Sequence, residues 1–144
     1  MTPYAFPELI NVNAKSRLFR DRRKLLIIGR CVEVEHPDAL KPFSNGYAVL
    51  SACLEEEHVN KVGFKLAGVL ARGDYEEVSV LTVDGSLHCV QLHYMVEEVF
   101  KVLGNPPVRR RHFVIEGGRV VEVPCEAVKA SRYLSRVAKL LRRC

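Results

Sequence analysis

The sequence predicts a three-layer α/β domain with a mainly parallel sheet, a C-terminal β-hairpin and a final helix. Three observations lead there. Residues 47–103 read as strand, helix, strand, helix. Their strand segments are apolar almost throughout, as expected of strands covered on both faces. Glu116-Gly117-Gly118 then separates two β-prone runs, which is a hairpin signal.

Taken in order, residues 1–24 form an N-terminal arm. Pro3 and Pro7 discourage early regular structure, and Arg17, Arg20, Arg22, Arg23 and Lys24 make it basic. Residues 25–144 form a single α/β domain. Leu25-Leu26-Ile27-Ile28-Gly29 starts a strand that continues through Cys31-Val32-Glu33-Val34. Residues 36–46 are a turn-rich connection, short enough to leave an antiparallel return open. Residues 47–52 are the second strand.

Glu55-Glu56-Glu57 places negative charge where a helix N-terminus favours it. Val59, Val62, Leu66, Val69 and Leu70 recur at helical spacing, and Gly73 stops the helix. Gly63, Ala67 and Gly68 leave one side of it slim, fit for close approach to a sheet. Residues 78–83 are the clearest strand. Asp84-Gly85-Ser86 turns the chain, with Ser86 as N-cap of a helix reaching about Leu103. Its stripe is Leu92, Val96, Val99 and Leu103, and Gly104-Asn105-Pro106-Pro107 ends it. Strands joined by a helix of this length are parallel. After the hairpin, Pro124 opens a last helix over 125–142, with Val128, Leu134, Val137 and Leu141 toward the core.

Composition bounds the function. The chain has 144 residues, 48% hydrophobic and 27% charged, a globular mixture rather than a disordered one. No apolar run approaches the roughly 20 residues of a membrane span. The N-terminus lacks a secretory core, so a cytoplasmic location is expected. Five cysteines, Cys31, Cys53, Cys89, Cys125 and Cys144, include no Cys-x-x-Cys pair. That excludes a zinc ribbon and a secreted disulfide framework. A single glutamine, Gln91, among many Val, Arg and Glu leans toward a thermophile. Net charge is +5, which favours an anionic or acidic partner.

Cysteine placement is the most informative feature. Cys53 ends the second strand and Cys89 opens the helix after the third. In a parallel sheet both lie at the carboxyl edge, where open α/β sheets bind ligands. Cys31 joins them if the first strand is parallel, while Cys125 belongs at the opposite edge. His88 precedes Cys89, and His93 lies one helical turn beyond it, on the same face. Three readings stand: buried core thiols, a zinc or iron–sulfur site on Cys53, Cys89, Cys31, His93 and His88, or a redox pair of Cys53 and Cys89. An enzyme with Cys89 as nucleophile, His93 as base and Asp84 as orienting acid is a further variant.

Two other features carry chemistry. Asp84, Gly85 and Ser86 can cradle an anion at a helix N-terminus, although a plain strand-to-helix turn uses the same residues. Neither a Gly-x-Gly-x-x-Gly nor a Walker sequence is present, so nothing points to dinucleotide or triphosphate binding. Arg109, Arg110, Arg111, Lys129, Arg132, Arg136, Lys139 and Arg143 could bind a nucleic-acid backbone with the basic arm, or form a solvated face.

The run from Val80 to Tyr94, with Asp84-Gly85-Ser86-Leu87-His88-Cys89 at its heart and Glu97-Glu98 beyond, resembles uncharacterised archaeal and bacterial Rossmann-like proteins. Some of these are described as ferredoxin-like or iron–sulfur associated. The resemblance spans about residues 47–103. It implies a Rossmann-like module in a redox setting, with a redox protein as a possible class of partner, and it implies no reaction.

Overall fold

The computed structural model describes residues 5–142. Five strands form one sheet: β1 (Lys24–Gly29), β2 (Tyr47–Ala52), β3 (Glu77–Val83), β4 (Arg109–Glu116) and β5 (Arg119–Val123). Their order is β2-β1-β3-β4-β5. The first four are parallel and β5 returns antiparallel to β4. The helices are α1 (Arg30–Glu35), α2 (Val59–Arg72), α3 (Leu87–Val102), α4 (Cys125–Ser131) and α5 (Leu134–Leu141).

Side-chain alternation explains why both sheet faces are covered. Leu25, Ile27, Ala48, Leu50, Val78 and Val80 point to one face, where α2 and α3 bury them with Leu66, Val96 and Phe100. Leu26, Ile28, Val49, Leu81, Phe113 and Ile115 point to the other, under Val32 of α1 and Ala39 and Phe43 of the following 3₁₀ turn. Every β1 residue from Leu25 to Ile28 is fully buried. The hydrophobic run is therefore a central strand. The preceding arm packs on the same domain through Leu9 and Phe19.

The predicted strands, the hairpin and the long helices are present, and the sheet stays parallel across the short β1–β2 connection. Four details differ. First, Cys31-Val32-Glu33-Val34 is helix, not strand. β2 ends at Ala52 opposite Gly29, and the β3 pairing stops at Leu81. A longer β1 would carry backbone groups without ladder partners. Second, β1 lies between β2 and β3, so the strands that α2 joins are parallel but not neighbours. Third, the slim side of α2 meets a helix: a Cβ on Gly63 would lie 3.3 Å from Met95 Cγ of α3. Fourth, the last helix breaks at Arg132-Tyr133, where Tyr133 is extended. Val128 is buried in α4, but Leu134 and Leu141 of α5 are exposed.

Candidate functional site

The strand order reverses direction at β1, with β2 on one side and β3 on the other. In open α/β sheets the crevice at such a switch point takes the ligand. Here that crevice is a cleft of about 50 Å³, lined by Gly29, Arg30, Cys31, Ala52, Cys53, Ser86, His88, Cys89 and Leu92. Three thiols from three separate elements thus border one space. A larger groove of about 580 Å³ lies between α2 and α3, but mostly apolar residues such as Phe64, Met95 and Val102 line it.

Local structure sets each thiol. Cys31 sits in the first turn of α1 and is exposed. Cys53 opens the turn after β2, its carbonyl accepting the N–H groups of Glu56 (3.2 Å) and Glu57 (3.0 Å). Cys89 lies in the first turn of α3, where its own N–H donates to the Ser86 cap at 3.4 Å. Glycine at position 29 lets the Cys89 sulfur approach β1, because a Cβ there would stand 3.2 Å from Sγ. Burial pushes the Cys31 thiol up, and Glu35 and the other two cysteines reinforce the effect. Arg30 is 10% exposed, ion-pairs with Glu8 and, at 2.6 Å, with Glu56, and presents positive charge to Cys53.

His88 lines this cleft, whereas His93 does not. The His93 ring turns under the sheet into a buried polar chain. Thr82 Oγ1 is 2.8 Å from His93 Nε2, His93 Nδ1 is 2.9 Å from His112 Nδ1, and His112 Nε2 is 2.8 Å from Glu97 Oε2. One proton order satisfies every partner. The carboxylate accepts from His112 Nε2–H, so His112 Nδ1 accepts from His93 Nδ1–H. His93 Nε2 then accepts from the Thr82 hydroxyl. Both rings are neutral in this order. Burial, with the neighbouring His112, pushes His93 down to about 3. Burial also lowers His112, against the opposing pull of Glu97.

The far end of the chain meets Arg110, whose Nε lies 3.1 Å from Glu97 Oε2, and Cys125. Ligand atoms of Glu97, His112 and Cys125 lie within 4.8 Å of one another. Among the described residues no other trio of His, Cys, Asp or Glu is so arranged. Cys31, Cys53 and Cys89 share a cleft without meeting that spacing. Sequence reasoning missed Thr82, Glu97 and His112 as a group. The available signal was polar residues at core positions: Glu97 one turn beyond His93 on α3, and His112 beside Phe113-Val114-Ile115.

Of the remaining candidates, Ser86 alone is among the residues lining the cleft. Asp84-Gly85-Ser86 forms a turn in which Gly85 has φ 91° and Asp84 N–H donates to Ile115 O at 3.1 Å. Arg109, Arg110 and Arg111 are paired in the sheet with Glu77, Glu97 and Glu122 respectively. Lys129, Arg132, Arg136 and Lys139 are exposed on or between α4 and α5, with Arg132 also 4.0 Å from Glu98. Arg143 and Cys144 lie outside the described residues. Among the described residues, no helix is long and apolar enough to cross a membrane.

A family model described as a Rossmann-like domain matches residues 17–143. No curated protein and no solved structure matches the chain.

Proposed function

We propose, from the premise that this chain belongs to the Rossmann-like domain family, that it is a small thiol redox module acting through Cys53 and Cys89. The observation that carries the proposal is the common cleft at the carboxyl edge, which gathers thiols 36 residues apart in sequence at the sheet's switch point. In the reaction, the two thiols give up two protons and two electrons to the disulfide of a partner protein or small molecule. An intramolecular disulfide forms, and the partner leaves as two thiols. Arg30 contributes positive charge beside Cys53. Cys31, whose thiol burial and Glu35 push up, is assigned no part in this reaction.

Equilibration in thiol–disulfide buffers, followed by counting of free thiols, tests this. Wild type and Cys31→Ser should each lose two thiols per chain in one reversible transition. Cys53→Ser and Cys89→Ser should lose none within the chain. A transition that survives in Cys53→Ser removes the proposal.

A second reading, prompted by the third thiol and His88 in the same cleft, is a zinc site on Cys31, Cys53, Cys89 and His88, which requires these residues to draw closer together than they stand. One zinc per chain, lost in Cys31→Ser, would favour the metal over the disulfide.

A further inference from the structure

We propose that Glu97, His112 and Cys125 form a second, buried site for a divalent zinc-type cation, separate from the carboxyl-edge cleft. The three residues come from α3, β4 and the first position of α4. Their ligand atoms lie within 4.8 Å of one another. Carboxylate, imidazole and thiolate together are a donor set that zinc accepts, at about 2.0–2.3 Å per bond. A tetrahedral ion holds such ligands roughly 3.3–3.8 Å apart, so from separations within 4.8 Å no pair needs to close by more than about 1.5 Å. The 2.8 Å His112–Glu97 hydrogen bond opens by a few tenths of an ångström to admit the ion. Glu97 is 4% exposed and His112 is fully buried, so water competes poorly for either. Once the ion displaces the Cys125 thiol proton, two negative charges face the single positive charge of Arg110, so the bound cation is held by a net negative donor set.

The surroundings supply what a metal-bound histidine requires on its other nitrogen. His112 Nδ1 faces His93 Nδ1 at 2.9 Å, and His93 Nε2 faces Thr82 Oγ1 at 2.8 Å. Such outer partners fix the ring and its tautomer. Binding reverses the proton order of the whole chain. His112 Nε2 gives its position to the ion, His112 Nδ1–H then donates to His93, and His93 Nε2–H donates to Thr82. Each ring keeps one proton, so the only proton released to solvent is that of the Cys125 thiol.

The test uses metal-free protein lacking the other thiols (Cys31→Ser, Cys53→Ser, Cys89→Ser, Cys144→Ser), titrated with Zn²⁺ and with Co²⁺. One equivalent should bind, with thiolate-to-cobalt charge-transfer absorption. Adding Cys125→Ser should abolish that band and weaken Zn²⁺ at least tenfold. Thr82→Val should weaken Zn²⁺ about 10-fold while keeping the band. Nitrogen-15 spectra of the histidine rings should show His93 and His112 exchanging tautomers on Zn²⁺ addition, which reads the site even where a variant folds poorly. Undiminished binding in Cys125→Ser, cobalt bound without the thiolate band, or unchanged tautomers under saturating Zn²⁺ would each overturn the proposal. Because the cleft thiols are absent from this protein, the outcome is independent of the redox reading.

Discussion

Replacing Thr82 with valine removes one hydroxyl from the buried relay while nearly preserving shape. Thr82 is 1% exposed, and its Oγ1 is the partner of His93 Nε2 at 2.8 Å. The substitution leaves that nitrogen buried and unpaired, which costs about 1–3 kcal/mol. For a chain of this size each kcal/mol moves the melting temperature by about 3 °C, so Tm should fall by about 3–9 °C. Ser51 provides the matched comparison. It is fully buried in the same sheet, but its Oγ finds no hydrogen-bond partner among the described residues. Ser51→Ala removes an unpaired polar atom, so Tm should hold or rise by up to about 3 °C. Thermal denaturation of both metal-free variants, followed by circular dichroism at pH 7.5, gives the answer. A Thr82→Val protein as stable as wild type, beside a destabilised Ser51→Ala, would refute the reasoning about the relay.

Acid titration of metal-free protein should show stability falling from pH 6.5 toward pH 3. His93 has its ordinary value of 6.5 when unfolded and about 3 when folded, so the unfolded chain binds the proton first and stability is lost as pH falls through that window. Urea midpoints across this range should shift downward, and His93→Phe, if it folds, should flatten the slope. At the amino edge, fully buried Glu77 joins Arg109 (3.2 Å), Ser79 (2.7 Å) and the Tyr47 hydroxyl. Arg109 is exposed enough to be re-solvated, so Glu77→Ala should cost about 1–3 kcal/mol, mainly by leaving the Ser79 and Tyr47 hydroxyls without their acceptor, as read from urea denaturation. A chain ending at Tyr133 loses α5, which buries no residue, so its Tm should stay within about 2 °C of wild type.

Much of this fold was legible because burial dictates sequence directly. Leu25–Ile28 and Val78–Val83 could only be strands covered on two faces, and Gly117-Gly118, both at positive φ, could only turn a hairpin cheaply. The Cys31-Val32-Glu33-Val34 stretch misled because alternation looks the same in a strand and in a short helix that buries one residue. Where β1 stops depends on the lengths of β2 and β3, which is information held elsewhere in the chain. The carboxyl-edge cleft followed from topology: once the strands are parallel, the residues after β1 and β2 and before α3 must converge. The buried relay did not follow in that way. His93 looked like a partner of Cys89 because both sit on one helical face, and only the approach of β4 reveals that the ring pairs with His112 instead.

The role assigned to the cleft can be measured most directly by mapping disulfides after mild oxidation. Protein treated with oxidised glutathione, quenched in acid and digested, should yield a peptide pair linked through Cys53 and Cys89, with Cys125 still a thiol. If those two cysteines are recovered only as separate peptides, reduced or carrying glutathione, the cleft does not bring their sulfurs together and the redox reading is wrong.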